Sequence, residues 1–342
     1  MKAFARIISF GLYCALLVGG AFVYGVRRRT PAFAYHSMIR LFCMTGGYSN
    51  DCLSRLIGLA RPRLEFRGAR GVIGNTDDVA ARASAVLALK ERGYYVFENL
   101  LDEVVCDRLL AYATSQPCEP RRMDNQKSCD SVTAIYHRDR PKAVRYDFST
   151  GQLLRNADVQ NLMADLSLAA VAQDYLGARP IIDVVSMWWL TSFSENPDAQ
   201  AAQFFHFDMD RPKWLKFFIY LGDVTTLNGP HMYVAGSHRS GGIPPRLLKK
   251  GYARLSDEEV SQSFGQKAIT EVVARRGTIL AEDTRGLHKG KRVLRGDRLL
   301  LQIQYSNSLF GAWYAKEAIG RHMTAELRAR VEEFPDIYSA YL

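Results

Sequence analysis

An imidazole and a carboxylate stand two residues apart in the run Phe204-Phe205-His206-Phe207-Asp208. In an extended strand alternate side chains share a face, so His206 and Asp208 point to one spot while Phe207 points away. A second imidazole follows eighty residues after Asp208, in Gly286-Leu287-His288-Lys289-Gly290. Two imidazoles and one carboxylate are the donor set of a facial triad, which holds a non-haem Fe(II) and leaves coordination positions open. The expected metal ligands, and with them the expected catalytic centre, are His206, Asp208 and His288. The other candidates lack such spacing. His238, in Gly236-Ser237-His238, is read as ordering a turn, and Tyr136, His137, Arg138 and Arg145 lie in polar loops.

Two further segments supply what such a centre needs around it. From Arg298 to Tyr305, the residues Leu299, Leu301, Ile303 and Tyr305 share one face, and Arg298, Leu300, Gln302 and Gln304 the other. An arginine and two glutamines are expensive to bury without partners, so that face is expected to line a wet cavity. The guanidinium of Arg298 offers two parallel N–H donors, which suits the distal carboxylate of an α-keto diacid. Lys216, Phe218 and Tyr220 share a face of the next such segment and are expected to border the same cavity.

The run Phe217-Phe218-Ile219-Tyr220-Leu221-Gly222-Asp223-Val224, followed by Asn228-Gly229-Pro230 and Ala235-Gly236-Ser237-His238, resembles the core signature of the phytanoyl-CoA dioxygenase family. A weaker likeness at Leu89 to Phe97 extends the resemblance over roughly residues 80 to 310. It implies a double-stranded β-helix (jelly-roll, cupin-like) core and the use of Fe(II), 2-oxoglutarate and O2. The family's H-x-D falls on His206 and Asp208, its distal histidine on His288, and its co-substrate arginine on Arg298, with Arg295 the alternative. The implied reaction is hydroxylation of a C–H bond, coupled to oxidative decarboxylation of 2-oxoglutarate to succinate and CO2. Asp208 is a carboxylate that halogenases of this kind lack, so hydroxylation is the expected outcome. His231, directly after Gly229-Pro230, stands where an apolar residue is common, and either packs or reaches substrate.

These residues need elements to position them. Thr76-Asp77-Asp78 opens a helix whose apolar positions run to Leu89 and whose natural stop is Gly93. A strand at Tyr94 to Phe97, a helix from Asp102 to Thr114, and a helix over roughly 158 to 175 follow. After Pro180 the texture becomes strands, at Ile181 to Phe193, Lys216 to Leu221, His231 to Val234, Gly277 to Ala281 and Arg298 to Tyr305. The expected architecture is mainly β, a jelly-roll barrel with helices packed outside it, closed by a surface helix from Thr324 to Phe334. Of the adjacent Trp188 and Trp189, only one can face inward.

A chain of 342 residues with 48% hydrophobic content can build one large core or two modest ones. Its net charge of +10 is not spread evenly. Residues 1 to 70 carry eleven Lys/Arg against Asp51 and Glu65, which leaves the rest of the chain nearly neutral and argues against nucleic acid as a partner. The basic segment flanks an uncharged apolar run, Ile7 to Val26, that ends in Arg27-Arg28-Arg29. Its length suits a bilayer-spanning helix, and bulky Phe22, Val23 and Tyr24 stand where a signal peptide would have small residues, so an anchor is preferred to a cleaved signal. Arg40, Arg55, Arg61 and Arg63 tilt the body toward the cytoplasmic side, and Phe33, Tyr35 and Phe42 are candidates to lie along lipid. No C-x-x-C pair occurs among the six cysteines; Cys118 and Cys129 are the pair that an oxidising compartment could join, and reduced thiols are the plainer reading.

The expected organisation is a membrane anchor over 1–30, a basic juxtamembrane linker over 31–75, a dioxygenase domain over 76–315 and a helical tail over 316–342. The expected substrate is a small, lipid or lipid-linked molecule. The rival readings are a non-catalytic jelly-roll binding module and another cupin-type metalloenzyme.

Overall fold

The computed structural model describes residues 2–121, 133–199, 201–315 and 317–342. An apolar helix, α1 (Lys2–Arg27), precedes α2 (Ala32–Thr45), α3 (Tyr48–Ala60) and a short ribbon, β1 (Arg70–Gly71) with β2 (Gly74–Asn75). Then come α4 (Val79–Arg92), β3 (Tyr94–Leu100), α5 (Glu103–Ser115), β4 (Glu119–Arg121) and β5 (Arg145–Asp147). Three helices follow, α6 (Thr150–Leu153), α7 (Ala157–Met163) and α8 (Leu166–Leu176). The strand-rich half holds β6 (Ile181–Thr191), β7 (Trp214–Tyr220), β8 (His231–Val234), α9 (Pro245–Leu248), α10 (Asp257–Phe264) and β9 (Ile269–Val272). It ends with β10 (Thr278–Glu282), β11 (His288–Gly290), β12 (Asp297–Ser306) and the helix α11 (Ala325–Glu333).

Seven strands form one antiparallel sheet in the order β3-β10-β7-β12-β6-β5-β4, and β11-β8-β9 form a smaller antiparallel one. Side-chain alternation divides the large sheet. Its outer face, with Met187 and Trp189 of β6, Phe217 and Ile219 of β7 and Leu301 and Ile303 of β12, is buried under helices α4, α5, α7 and α8. Each such side chain contributes about 1.5–3 kcal/mol of transfer free energy, so this helix-covered face is the main core. The opposite face carries Trp188, Phe218, Tyr220 and Leu300, packed with Val272 and Val293. Trp188 and Trp189 divide between the two faces, as alternation requires.

Local chemistry sets the element ends. Asp78 caps α4 by accepting from Ala81, and Gly93 ends it at φ 90°, a left-handed conformation that costs a glycine little. The single helix expected over 158 to 175 is two, because the Asp165 carboxylate accepts from the amides of Ser167 and Leu168 and starts a new helix there. The segment 31–75, expected as a linker, instead holds α2, α3 and the small ribbon. Phe42 of α2 packs on Phe207 with ring centroids 5.4 Å apart, so it is buried in the body and withdrawn from any lipid surface. Cys129, the expected partner of Cys118, lies outside the described residues. Arg6–Arg27 is long and apolar enough to cross a membrane by length and composition.

Candidate active site

A mutual backbone bridge joins the segment before Asp208 to β11. The amide of His206 donates to the carbonyl of His288 at 3.0 Å, and the amide of His288 donates back at 2.9 Å. The pairing sets both imidazoles side by side, with ring centroids 4.3 Å apart. The Asp208 amide donates to the Thr284 carbonyl at 2.7 Å, which brings the carboxylate into the same spot. One ligand atom from each of His206, Asp208 and His288 lies within 4.8 Å of the others. The histidine Nε2 atoms each lie 3.7 Å from a carboxylate oxygen of Asp208. Residues far apart in the chain thus present three metal donors to one point.

The imidazoles are held in a single tautomer. Nδ1 of His206 lies 2.9 Å from the Phe204 carbonyl, and Nδ1 of His288 lies 3.0 Å from the Gly286 carbonyl. Each Nδ1–H donates to its own loop, which leaves both Nε2 lone pairs facing the centre. Burial pushes the His288 pKa down to about 3 and lowers that of His206 as well, so both rings are neutral. The turn before His288 is fixed by the buried Arg285–Asp283 pair at 2.7 Å, with Tyr175 on Asp283 and Asp51 of α3 on Arg285 at 3.1 Å. Gly286 must be glycine there, because a Cβ would collide with the Tyr233 hydroxyl.

A cavity of about 510 Å³ opens on the triad. Trp188, Lys216, Phe218, His231, Arg298 and Gln302 are among its walls, so Lys216, Phe218, Arg298 and Gln302 of the expected inward faces do line a cavity, whereas Leu300 packs in the apolar cluster instead. Gln304 departs from that expectation: it is fully buried and donates to Asp183 at 3.0 Å. Tyr220 also departs, lying behind the wall with its ring 6.0 Å below the Arg298 guanidinium and 5.8 Å from His231. Lys216 is engaged by one of the three candidate ligands: its Nζ donates to Asp208 Oδ2 at 2.6 Å. Burial pushes the Asp208 carboxyl up, but Lys216 and the two imidazoles outweigh it and hold the group well below the usual carboxylate range.

Arg298 is 3% exposed, and its Nε and Nη1 have no hydrogen-bond partner among the described residues. The neighbouring Asp297 is already taken by Arg138 at 2.6 Å and by the Tyr136 hydroxyl at 3.1 Å. A buried guanidinium with free donors costs several kcal/mol, which an anion delivered through the cavity would relieve. Arg295 is exposed. His238 is turned away from the cavity, with its Nε2 3.2 Å from the Lys90 carbonyl at the end of α4.

Sequence reasoning missed Glu282. It is fully buried, opposes Lys216 across the β10–β7 pairing, and sits 3.8 Å from His231. Burial pushes its carboxyl up to about 8, against partial relief from Lys216 and Arg298. Its signal was a lone acid ending the otherwise apolar strand Thr278-Ile279-Leu280-Ala281-Glu282, two residues from inward-facing Leu280. The segment expected as polar loops holds strands β4 and β5, whose Arg121, Arg145 and Asp147 line the cavity, with Arg145 stacked on Trp188 at 4.4 Å.

Among solved structures the chain resembles HygX from Streptomyces hygroscopicus with nickel and 2-oxoglutarate bound, at 16% identity and TM-score 0.47, covering 72% of this chain and 93% of that one. It resembles EctD from S. alaskensis in its apoform at 20% identity and TM-score 0.46, covering 72% and 83%. It also resembles the non-heme alpha ketoglutarate dependent epimerase SnoN from nogalamycin biosynthesis at 16% identity and TM-score 0.43, covering 67% and 84%. No curated protein matches the chain. The family model described as Phytanoyl-CoA dioxygenase (PhyH) matches residues 89–295, more than half of the chain and a span that includes His206, Asp208 and His288, and the chain belongs to that family.

Proposed function

We propose that this chain is an Fe(II)- and 2-oxoglutarate-dependent dioxygenase with a double-stranded β-helix core, which hydroxylates a C–H bond of a small, lipid or lipid-linked substrate and releases succinate and CO2. The observation that carries the reading is the convergence of His206, Asp208 and His288 on one point in a cavity that also holds Arg298, whose Nε and Nη1 have no hydrogen-bond partner among the described residues. The donor set suits ferrous ion, since two neutral imidazoles and a carboxylate occupy one face and leave the other for small ligands. When bound, the metal supplies the activation of O2 with 2-oxoglutarate as the electron donor.

The chain's own residues do the rest. The carbonyls of Phe204 and Gly286 hold the two Nε2 lone pairs inward, and Lys216 donates to Asp208 Oδ2 and so fixes and ionises the carboxylate that would hold the metal. Arg298 receives the distal carboxylate of the co-substrate through its fork of N–H donors. Phe218 and Trp188 wall off water beside it. The lipid-linked substrate class and membrane attachment rest on α1, and the arginine excess beyond it supports a cytoplasmic body.

The test is succinate formation from 2-oxoglutarate by protein loaded anaerobically with iron, with His206→Ala as the control. Succinate that depends on His206 supports the reading. Well-folded protein that binds neither iron nor 2-oxoglutarate removes it, and turnover indifferent to Arg298→Ala would favour a metalloenzyme that uses no such co-substrate.

A further inference from the structure

The two sides of α1 differ in what covers them. Tyr13, Leu17, Gly20 and Tyr24 recur at helical spacing and are buried or half-buried. Gly20 is the point of closest approach, where a Cβ would overlap the methyl of the fully buried Ala34 in α2. Leu17 and Tyr24 pack around Ala34, Met38 and Phe310, with Tyr24 edge-on to Phe310 at 5.5 Å. At the other end, Arg6 donates to the Met44 carbonyl at 3.2 Å. Helix α2 therefore runs beside α1 from Gly20 back to Arg6. The opposite side repeats at the same period and is bare: Ile7 is 69% exposed, Val18 70%, Phe22 76% and Val26 72%.

Length alone allows α1 to cross a bilayer. The docking of α2 argues otherwise. In this arrangement whatever depth α1 reaches, α2 reaches too, and with it Arg40 and the Phe42–Phe207 contact one residue from His206. Carrying that charge and the metal centre to the bilayer midplane is far costlier than laying the pair flat. Undocking α1 would instead strip the cover from Ala34, Met38 and Phe310. Both ends of the helix are basic, with Arg6 at one and Arg27, Arg28 and Arg29 at the other, all exposed. The exposed Trp313, stacked under Arg29 at 4.9 Å, adds the kind of aromatic found at lipid headgroups.

We propose that α1 remains docked on α2 and lies in the plane of an anionic membrane surface, its Ile7–Val18–Phe22–Val26 stripe in the acyl boundary and its arginines at the headgroups. The occupant of the bare face is the lipid bilayer. The arrangement holds the candidate active site at a fixed height above the lipid. Tyr314 lines both the groove beside Arg28 and the triad cavity, so the cavity lies next to the headgroup end of α1, where an amphiphilic substrate would arrive. This inference deepens the membrane attachment in the reading above, and its test measures no turnover.

The full chain carries one epitope tag at each terminus and is followed in sealed membrane vesicles treated with protease outside. The expected result is that the chain sediments with the membranes and that both tags are digested together or protected together. Tags on opposite sides would mean a crossing helix and would overturn the proposal, as would loss of the amino-terminal tag by processing or recovery of the chain away from membranes. In a second measurement, purified protein is sedimented with vesicles of phosphatidylcholine containing one quarter phosphatidylglycerol. Val18→Asp with Phe22→Asp is expected to weaken binding by about tenfold or more, because each aspartate takes a charge into the acyl boundary. Unchanged binding would refute the assigned face.

Discussion

Lys216 Nζ lies 2.6 Å from Asp208 Oδ2, while Asp208 Oδ1 faces Nε2 of His206 at 3.7 Å. One carboxylate thus sits between a buried cation and both imidazoles, since its Oδ2 also lies 3.7 Å from Nε2 of His288. The pairing keeps Asp208 ionised despite its burial, so in the intact chain no proton competes with the metal for this ligand across the neutral range. In Lys216→Met burial is left less opposed and the carboxyl rises. Metal affinity at pH 8 should then stay near that of the parent but fall by up to about tenfold per pH unit below the new pKa. Anaerobic titration with Fe(II), or with Co(II) followed by its absorbance, measures this, and a pH profile parallel to the parent's would refute the role of Lys216.

Arg298 and Arg295 give a second, paired prediction. Both stand at plausible spacing after His288 in the sequence, but Arg298 is buried on the cavity, with Nε and Nη1 unpartnered among the described residues, and Arg295 is exposed. Truncating one partner of a buried, hydrogen-bonded charge pair costs about 2–5 kcal/mol, so Arg298→Ala should weaken 2-oxoglutarate binding by roughly thirtyfold to several thousandfold. Arg298→Lys should recover part of the loss, since it restores the charge without the fork. Arg295→Ala should change nothing. Calorimetric titration of 2-oxoglutarate into metal-loaded protein decides it, and equal effects of the two alanine variants would overturn the assignment.

How much of this was legible in the chain depended on the range of the interaction. The triad was readable because alternate side chains of an extended segment share a side, although His206 and Asp208 lie outside any strand and isolated bridges hold that segment, and because the alternation of β12 separates Arg298 from its apolar neighbours. That Arg298 would not be spent on Asp297 was not readable, since it depends on Asp297 being claimed by Arg138, a residue distant in the chain. Gln304 shares its face with Arg298 but is captured by Asp183 of β6, a contact that only the β12–β6 pairing creates. The docking of α2 was hidden for a similar reason. A basic, aromatic segment looks the same whether its Phe42 meets lipid or Phe207.

Glu282 predicts the pH dependence of the metal-free protein. Its folded pKa of about 8 is above the ordinary 4.5, so its contribution to stability is fully present below pH 4.5 and is lost as pH rises through 8. Neither carboxyl oxygen has a hydrogen-bond partner among the described residues, so ionisation places an unsolvated charge in the core. Glu282→Gln imitates the neutral acid and cannot ionise. Relative to that variant, the parent should lose on the order of a few kcal/mol between pH 6 and pH 9. Urea unfolding of both proteins across that range reads the difference, and parallel curves would mean that Glu282 does not titrate there.

Asp183 carries the last prediction, which concerns stability. Its carboxylate receives Arg211 through Nε at 2.6 Å and Nη2 at 2.7 Å, together with Gln304 at 3.0 Å and Ser306 at 2.8 Å. Arg211 is itself buried and also donates to the carbonyls of Leu309 and Ala312, so the pair fastens the segment after β12 to the start of β6. Asp183→Ala leaves that guanidinium uncompensated and should cost about 3–5 kcal/mol, whereas Asp183→Ala with Arg211→Met should recover much of the loss because no buried charge remains. A double-mutant cycle by urea unfolding measures the coupling. If the single variants instead add, the two side chains act independently and the segment after β12 is held by its backbone contacts alone.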